Sequence, residues 1–169
     1  YNSTSGTFKS VVATEAWSSG SIMVTARSQV GGAGIQTAAL AVCGYIAPNP
    51  GPTQQRADME EYNGLGWTTI TSNPEARNKA FSVGTTTAAL VGGGEGPGPG
   101  ATAGEWNGTA WGTPTSIPLT MYDSTAFGPE TAAVVVHSAS PSPTTGVLLY
   151  DGSAWTAGTV TPTEMTSAS

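Results

Sequence analysis

Few side chains in this sequence are equipped for chemistry, and their spacing argues against most of it. His137 and Cys43 are the only histidine and the only cysteine. A zinc or iron site needs several such ligands held together, and neither a CxxC pair nor a second histidine completes one. Cys43 closes the apolar run Ala38 to Val42 and reads as a small buried thiol, which also excludes an internal disulfide framework. His137 ends a comparable run and reads as structural. The Gly-x-Ser-x-Gly elbow of esterases is absent, which argues against a serine nucleophile. Paired carboxylates are the route taken by glycosidases. Asp58 and Glu60 alternate onto one strand face with Glu61 on the other, and Glu61 and its repeat counterpart Glu105 read as polar residues of a hairpin edge rather than as acid and base. The run Gly92-Gly93-Gly94-Glu95-Gly96 lacks the lysine and the strand-to-helix setting of a phosphate loop. No catalytic residue, metal site or cofactor follows from these groups, so the expectation is a protein that is not an enzyme.

The elements that would position any site repeat along the chain. Trp17, Trp67, Trp111 and Trp155 are 50, 44 and 44 residues apart. Counted forward from each tryptophan, position 7 is Val24, Pro74, Pro118 and Pro162, and position 10 is Arg27, Arg77, Met121 and Met165. Position 17 is Gly34, Gly84 and Gly128; position 20 is Thr37, Thr87 and Thr131, each followed by Ala-Ala. Five residues before the last three tryptophans stand Tyr62, Trp106 and Tyr150, each opening an aromatic-Asn/Asp-Gly turn. Asn-Gly and Asp-Gly between apolar runs signal a tight hairpin with φ > 0 at both central residues. One strand therefore ends at the aromatic, the next holds the tryptophan, and the prolines at position 7 stop it. Further strands follow across 28–34 and 79–84, and then across the small apolar segments 38–43, 88–91 and 132–136, which fit strands buried on both faces. Four strands per unit of about 44 residues is the size of a propeller blade.

Length varies in one place only. Between the threonine and the hairpin aromatic the spacing is 25, 19 and 19 residues, so the extra residues join the second strand to the third. These connectors are rich in proline: Ala47 to Pro52, Gly96 to Gly100 and Ser140 to Pro143. Insertions at one loop of an array project from one face, which is often the binding face. Asn49, in the first connector, and Tyr45 and Tyr122, which stand outside the repeating frame, are the candidates for ligand contact. Trp17, Trp67, Trp111, Trp155, Tyr62, Trp106 and Tyr150 read as anchors that pack the units.

Composition agrees with an all-β chain. Only 9% of the 169 residues are charged, against about 25% in ordinary soluble domains. All five basic residues lie within the first 79 positions, and the remaining 90 carry six acids and no base. Phosphate recognition rests on Lys and Arg, so nucleic acid is not an expected partner. The apolar runs fall short of the ~18 residues that a spanning helix needs, so membrane insertion is not expected. The chain opens on Tyr1 without a methionine or a signal peptide, as a processed product or a piece of something longer would.

These residues resemble kelch repeats. In that pattern a glycine pair ends the second strand, an aromatic ends the third and a tryptophan lies in the fourth. Gly92-Gly93 ends the second strand of one unit here, with Cys43-Gly44 and His137-Ser138 at the equivalent point of the others. The block Glu60-Glu61-Tyr62-Asn63-Gly64-x-x-Trp67 and the Gly-x-x-Thr-Ala-Ala segments look like the kelch-like repeats of tailed-phage virion proteins, fibres and appendages among them. The resemblance covers roughly 15–165 and implies propeller blades at about 25–73, 74–117 and 118–161, after an N-terminal hairpin or connector at 1–14. The Asp-box of sialidase propellers and the Tyr/Cys/His set of galactose-oxidase-like kelch enzymes are missing. The implied role is a structural or adhesive part of a virion, extracellular, with other copies, neighbouring virion proteins and cell-surface carbohydrate as partners. A self-assembling bacterial filament or surface-layer subunit, and a secreted carbohydrate-binding module, are the alternatives. Propellers close with about four to eight blades. Three blades and a spare strand leave either further blades outside this segment or association of several chains.

Overall fold

The computed structural model describes residues 20–46, 54–98, 100–139 and 146–159. The hairpin expected at 1–14, the first frame tryptophan Trp17, and Asn49 lie outside the described residues. Twelve strands form three four-stranded antiparallel sheets, and no helix occurs among the described residues. Sheet one runs β1 (Gly31–Ile35), β2 (Ala38–Tyr45), β3 (Gln55–Tyr62) and β4 (Trp67–Ile70), neighbours in that order. Sheet two repeats the order with β5 (Phe81–Thr85), β6 (Ala88–Gly92), β7 (Thr102–Trp106) and β8 (Thr115–Ser116). Sheet three does so with β9 (Met121–Phe127), β10 (Ala133–Ala139), β11 (Gly146–Tyr150) and β12 (Trp155–Ala157).

Backbone chemistry explains the fixed positions. Gly34, Gly84 and Gly128 sit at φ 110°, 105° and 105°, and a Cβ there would come within 2.1–2.4 Å of the carbonyl oxygen of Ala38, Ala88 or Ala132. Only glycine allows the first hairpin of each sheet to close. The second hairpins differ from the tight two-residue turn expected. Tyr62 pairs with Trp67 and Tyr150 with Trp155, so each loop has four residues, and only its glycine (Gly64, Gly108, Gly152) has positive φ. The Asn or Asp side chain closes the loop instead. Asn63 Oδ1 accepts from the N–H groups of Leu65 and Gly66 at 3.0 Å, and Asn107 and Asp151 repeat the arrangement.

Two further details depart from the spacing. The counterpart of Cys43-Gly44 is Gly93-Gly94, one residue later than expected, because both members of each pair have positive φ. In sheet two the fourth strand is interrupted: Trp111 bridges Trp106, but β8 resumes only at Thr115, after Pro114 has broken the row of donors.

The sheets stack face to face. Leu40, Val42 and Met59 of sheet one meet Ala89, Val91 and Trp106 of sheet two. On the other side of sheet two, Phe81, Val83 and Leu90 meet Ala133, Val135, Leu148 and Tyr150 of sheet three. Alternation along each strand supplies one face to each neighbour. Ala89, Leu90 and Val91 are all fully buried, as expected for a strand covered on both sides. β10 is not: Val135 is buried but Val134 is 37% exposed, because nothing described covers that side of sheet three. The frame tryptophans cover each hairpin aromatic rather than being the deepest groups. Trp106 and Tyr150 are buried, while Trp111 and Trp155 are half-buried on top of them, with ring centroids 5.6 and 4.8 Å apart.

Candidate functional site

The first strands of consecutive sheets run side by side, β1 beside β5 and β5 beside β9. Just before β1 and β5, and inside β9, the chain passes through a left-handed residue. Gln29, Lys79 and Asp123 all occupy position 12 of the frame, with φ 54°, 56° and 52°. The Lys79 N–H donates to Gln29 O at 3.2 Å, and the Asp123 N–H donates to Lys79 O at 3.3 Å, tying the three sheets together at one end. Their side chains and neighbours make a polar cluster. Lys79 Nζ lies 3.0 Å from Glu95 and 3.4 Å from Asp123, and 5.5 Å above the centre of the Tyr122 ring. Asn78, buried, donates to Gln29 Oε1 at 2.5 Å. The hydrogen bond to Glu95 raises the Lys79 pKa above the ordinary lysine value; burial opposes it, and the Asp123 charge adds to the rise.

Two of the ligand candidates belong to this end. Tyr122 shares position 11 with Ser28 and Asn78, and Tyr45 aligns with Glu95 at the end of the second strand, so both are inside the frame after all. Tyr45 exchanges backbone hydrogen bonds with Ser28 at 2.8 Å, and its ring is half-buried. The connectors after β2 and β6 leave from here, so aromatic rings, amides, an ammonium and carboxylates gather where the proline-rich segments begin. No family model matches this chain, and none of the curated proteins is similar to it.

Other polar groups are spent internally. Arg27 and Arg77, at position 10, reach under the ends of β2 and β6, beside the positive-φ pair, and donate to main-chain carbonyls. Arg27 donates to Cys43 O at 2.7 Å and to Ala41 O at 3.3 Å; Arg77 donates to Gly93 O at 2.7 Å and Thr102 O at 3.1 Å. Glu60 pairs with Arg27 at 2.5 Å, fully buried, and accepts from the N–H groups of Val24 and Thr25. Glu75 pairs with Arg77 and accepts from the Thr102 hydroxyl. In sheet three the ladder continues to Met121, which needs no guanidinium. The spacing marked position 10 but carried no signal of this carbonyl-filling role.

Three of the carboxylates weighed for catalysis, Glu60, Asp58 and Glu105, are likewise engaged. Asp58 pairs with Arg56 at 2.6 Å. Glu105 accepts from the Tyr150 hydroxyl at 2.5 Å across the interface of sheets two and three. Burial, then this carboxylate, holds the Tyr150 phenol well above its usual range. Burial, then the Glu105 charge, raises the Glu130 carboxyl as well. His137 is buried against Gly146, its Nδ1 finds no hydrogen-bond partner, and burial lowers its pKa. Burial pushes the Cys43 thiol up to about 12, too high for a nucleophilic thiolate at neutral pH. Among the described residues no three His, Cys, Asp or Glu stand close enough to hold a metal ion.

Proposed function

We propose that this chain is a non-enzymatic structural or adhesive component of a phage virion, a fibre, appendage or decoration protein, whose sheets are kelch-like propeller blades. The observation that carries the reading is the row of first strands joined through Gln29, Lys79 and Asp123, with each sheet stacked on the next. Blades around an axis have their first strands adjacent in the same way. The internal pairing of Glu60, Asp58 and Glu105 supports a role without catalysis.

In this reading the connector end is the adhesive surface for host glycan. Tyrosine rings offer stacking faces, and amide and carboxylate groups match sugar hydroxyls. Tyr45→Ala or Tyr122→Ala should weaken glycan binding about tenfold, a loss of roughly 1.4 kcal/mol. The test is a glycan array with the wild-type chain, followed by titration of both variants. Labelling of intact particles with an antibody to this chain checks the virion setting, and particles that never label would overturn it. The apolar face of sheet three left exposed among the described residues, with Val134, Leu149 and Phe127, favours one second reading, an extracellular bacterial filament or surface-layer subunit.

A further inference from the structure

Each internal interface joins the same two kinds of surface. One is the alanine-and-aromatic face, with Ala89 and Trp106 in sheet two and Ala133 and Tyr150 in sheet three; all four are at most 3% exposed. The other is the aliphatic-rich face of the preceding sheet, with Leu40 and Val42, then Leu90 and Val83. Among the described residues, one of each kind is uncovered at the two ends of the array. Sheet one presents Gly32, Gly34, Ala39, Ala41 and Trp67 around an open cavity of about 460 Å³. Sheet three presents Val134, Leu149 and Phe127, which are 37, 39 and 58% exposed. Val134 occupies the repeat position of Leu40 and Leu90, which are 2 and 0% exposed.

We infer that the partner of these faces is a second copy of this chain, its sheet three lying on sheet one of the next as sheet two lies on sheet one within a chain. This names the partner within the structural role proposed above and rests on that reading. Polar groups agree with the match. In sheet three Tyr150 needs Glu105 of the covering sheet for its hydroxyl. The equivalent Tyr62 donates instead to Gly64 O within its own turn at 2.9 Å, and the covering sheet would offer Leu149, an apolar residue, at the Glu105 position. Neither uncovered face has to bury an unpaired charge. The contact is heterologous, so copies join head to tail and either close as a ring, six sheets for two chains, or extend.

Gly32→Arg and Val134→Glu test this in light scattering on a sizing column, with Phe127→Asp as a second block on the sheet-three face. A Cβ at Gly32 would meet nothing closer than Leu40 O at 3.9 Å, so the backbone there accepts a side chain. Circular dichroism confirms folding of all three. The wild-type chain should run at twice the mass of one chain or a higher multiple, and each variant at the mass of one chain. Mixing Gly32→Arg with Val134→Glu leaves one intact face on each, so the mixture should recover a two-chain species. Three results would overturn the inference: a wild-type monomer at about 100 μM, well above the micromolar affinities of ordinary interfaces; association lost in Gly32→Arg but kept in both sheet-three variants; or a mixture that stays monomeric. A monomer that still labels particles sinks this inference and leaves the virion role standing. Head-to-tail association of a chain that never labels particles does the reverse.

Discussion

At the scale of single residues, the repeat is a record of backbone constraints. Gly84 shows it most directly, since a Cβ would stand 2.1 Å from Ala88 O. Gly84→Ala should lose on the order of 2 kcal/mol, the usual cost of forcing a side chain into such a conformation, read as a lower urea midpoint. Arg77 is constrained by what it satisfies. Arg77→Met should cost about 3 kcal/mol, because the Gly93 carbonyl would lose its buried donor and Glu75 its cation, while Thr102 O would keep only the Gly93 N–H. An Arg77→Met chain as stable as wild type by urea unfolding would remove this account of position 10. The glycines were legible in the sequence because only one residue type meets their requirement. The ion pair of Arg27 with Glu60 was not, since the partners are 33 positions apart and nothing local links them.

At the scale of elements, the four-residue hairpins explain why Asn and Asp alternate at one position. Asp151 does the work of Asn63 and Asn107, with its oxygen on the N–H groups of Ser153 and Ala154. Those bonds, the Ala154 N–H first, hold the Asp151 carboxyl below the usual range. Its folded pKa is thus below the unfolded one, so its contribution is present above the unfolded value of about 3.9 and disappears as pH falls through the folded value. Asp151→Asn should match wild type in melting temperature at pH 7 and lose less stability than wild type as the solution is acidified. Asp151→Ala should melt lower at pH 7. Equal melting of all three at pH 7 would show that the side chain is not holding the turn. The sequence signalled a hairpin here but the wrong loop length, because Asn-Gly describes equally a two-residue turn and the start of an Asx-capped loop. Strand order was legible for a different reason: small residues and turn formers recur at fixed offsets, while the variable length is confined to one connector.

At the scale of the whole molecule, the middle sheet is the only one with both faces covered among the described residues. Stacked repeats derive their stability from neighbours. In hydrogen exchange of the Gly32→Arg variant, the amides of Leu90 and Val91 should be the slowest, with sheets one and three opening earlier. Uniform exchange across the three sheets would mean that the stack opens as one unit. The uncovered faces themselves were only partly legible. Counting strands showed that three blades and a spare strand are incomplete, but not which surfaces are exposed; these are faces, which only the direction of stacking reveals. The row at position 12 has a consequence of a different kind. Gln29, Lys79 and Asp123 share one left-handed backbone geometry yet carry an amide, a cation and an anion. Backbone bonds hold that row, so its geometry is set without the side chains, like a fixed dial whose lettering can differ. Such a rim can change the charge it presents from one relative to another while every sheet beneath it stays packed as before.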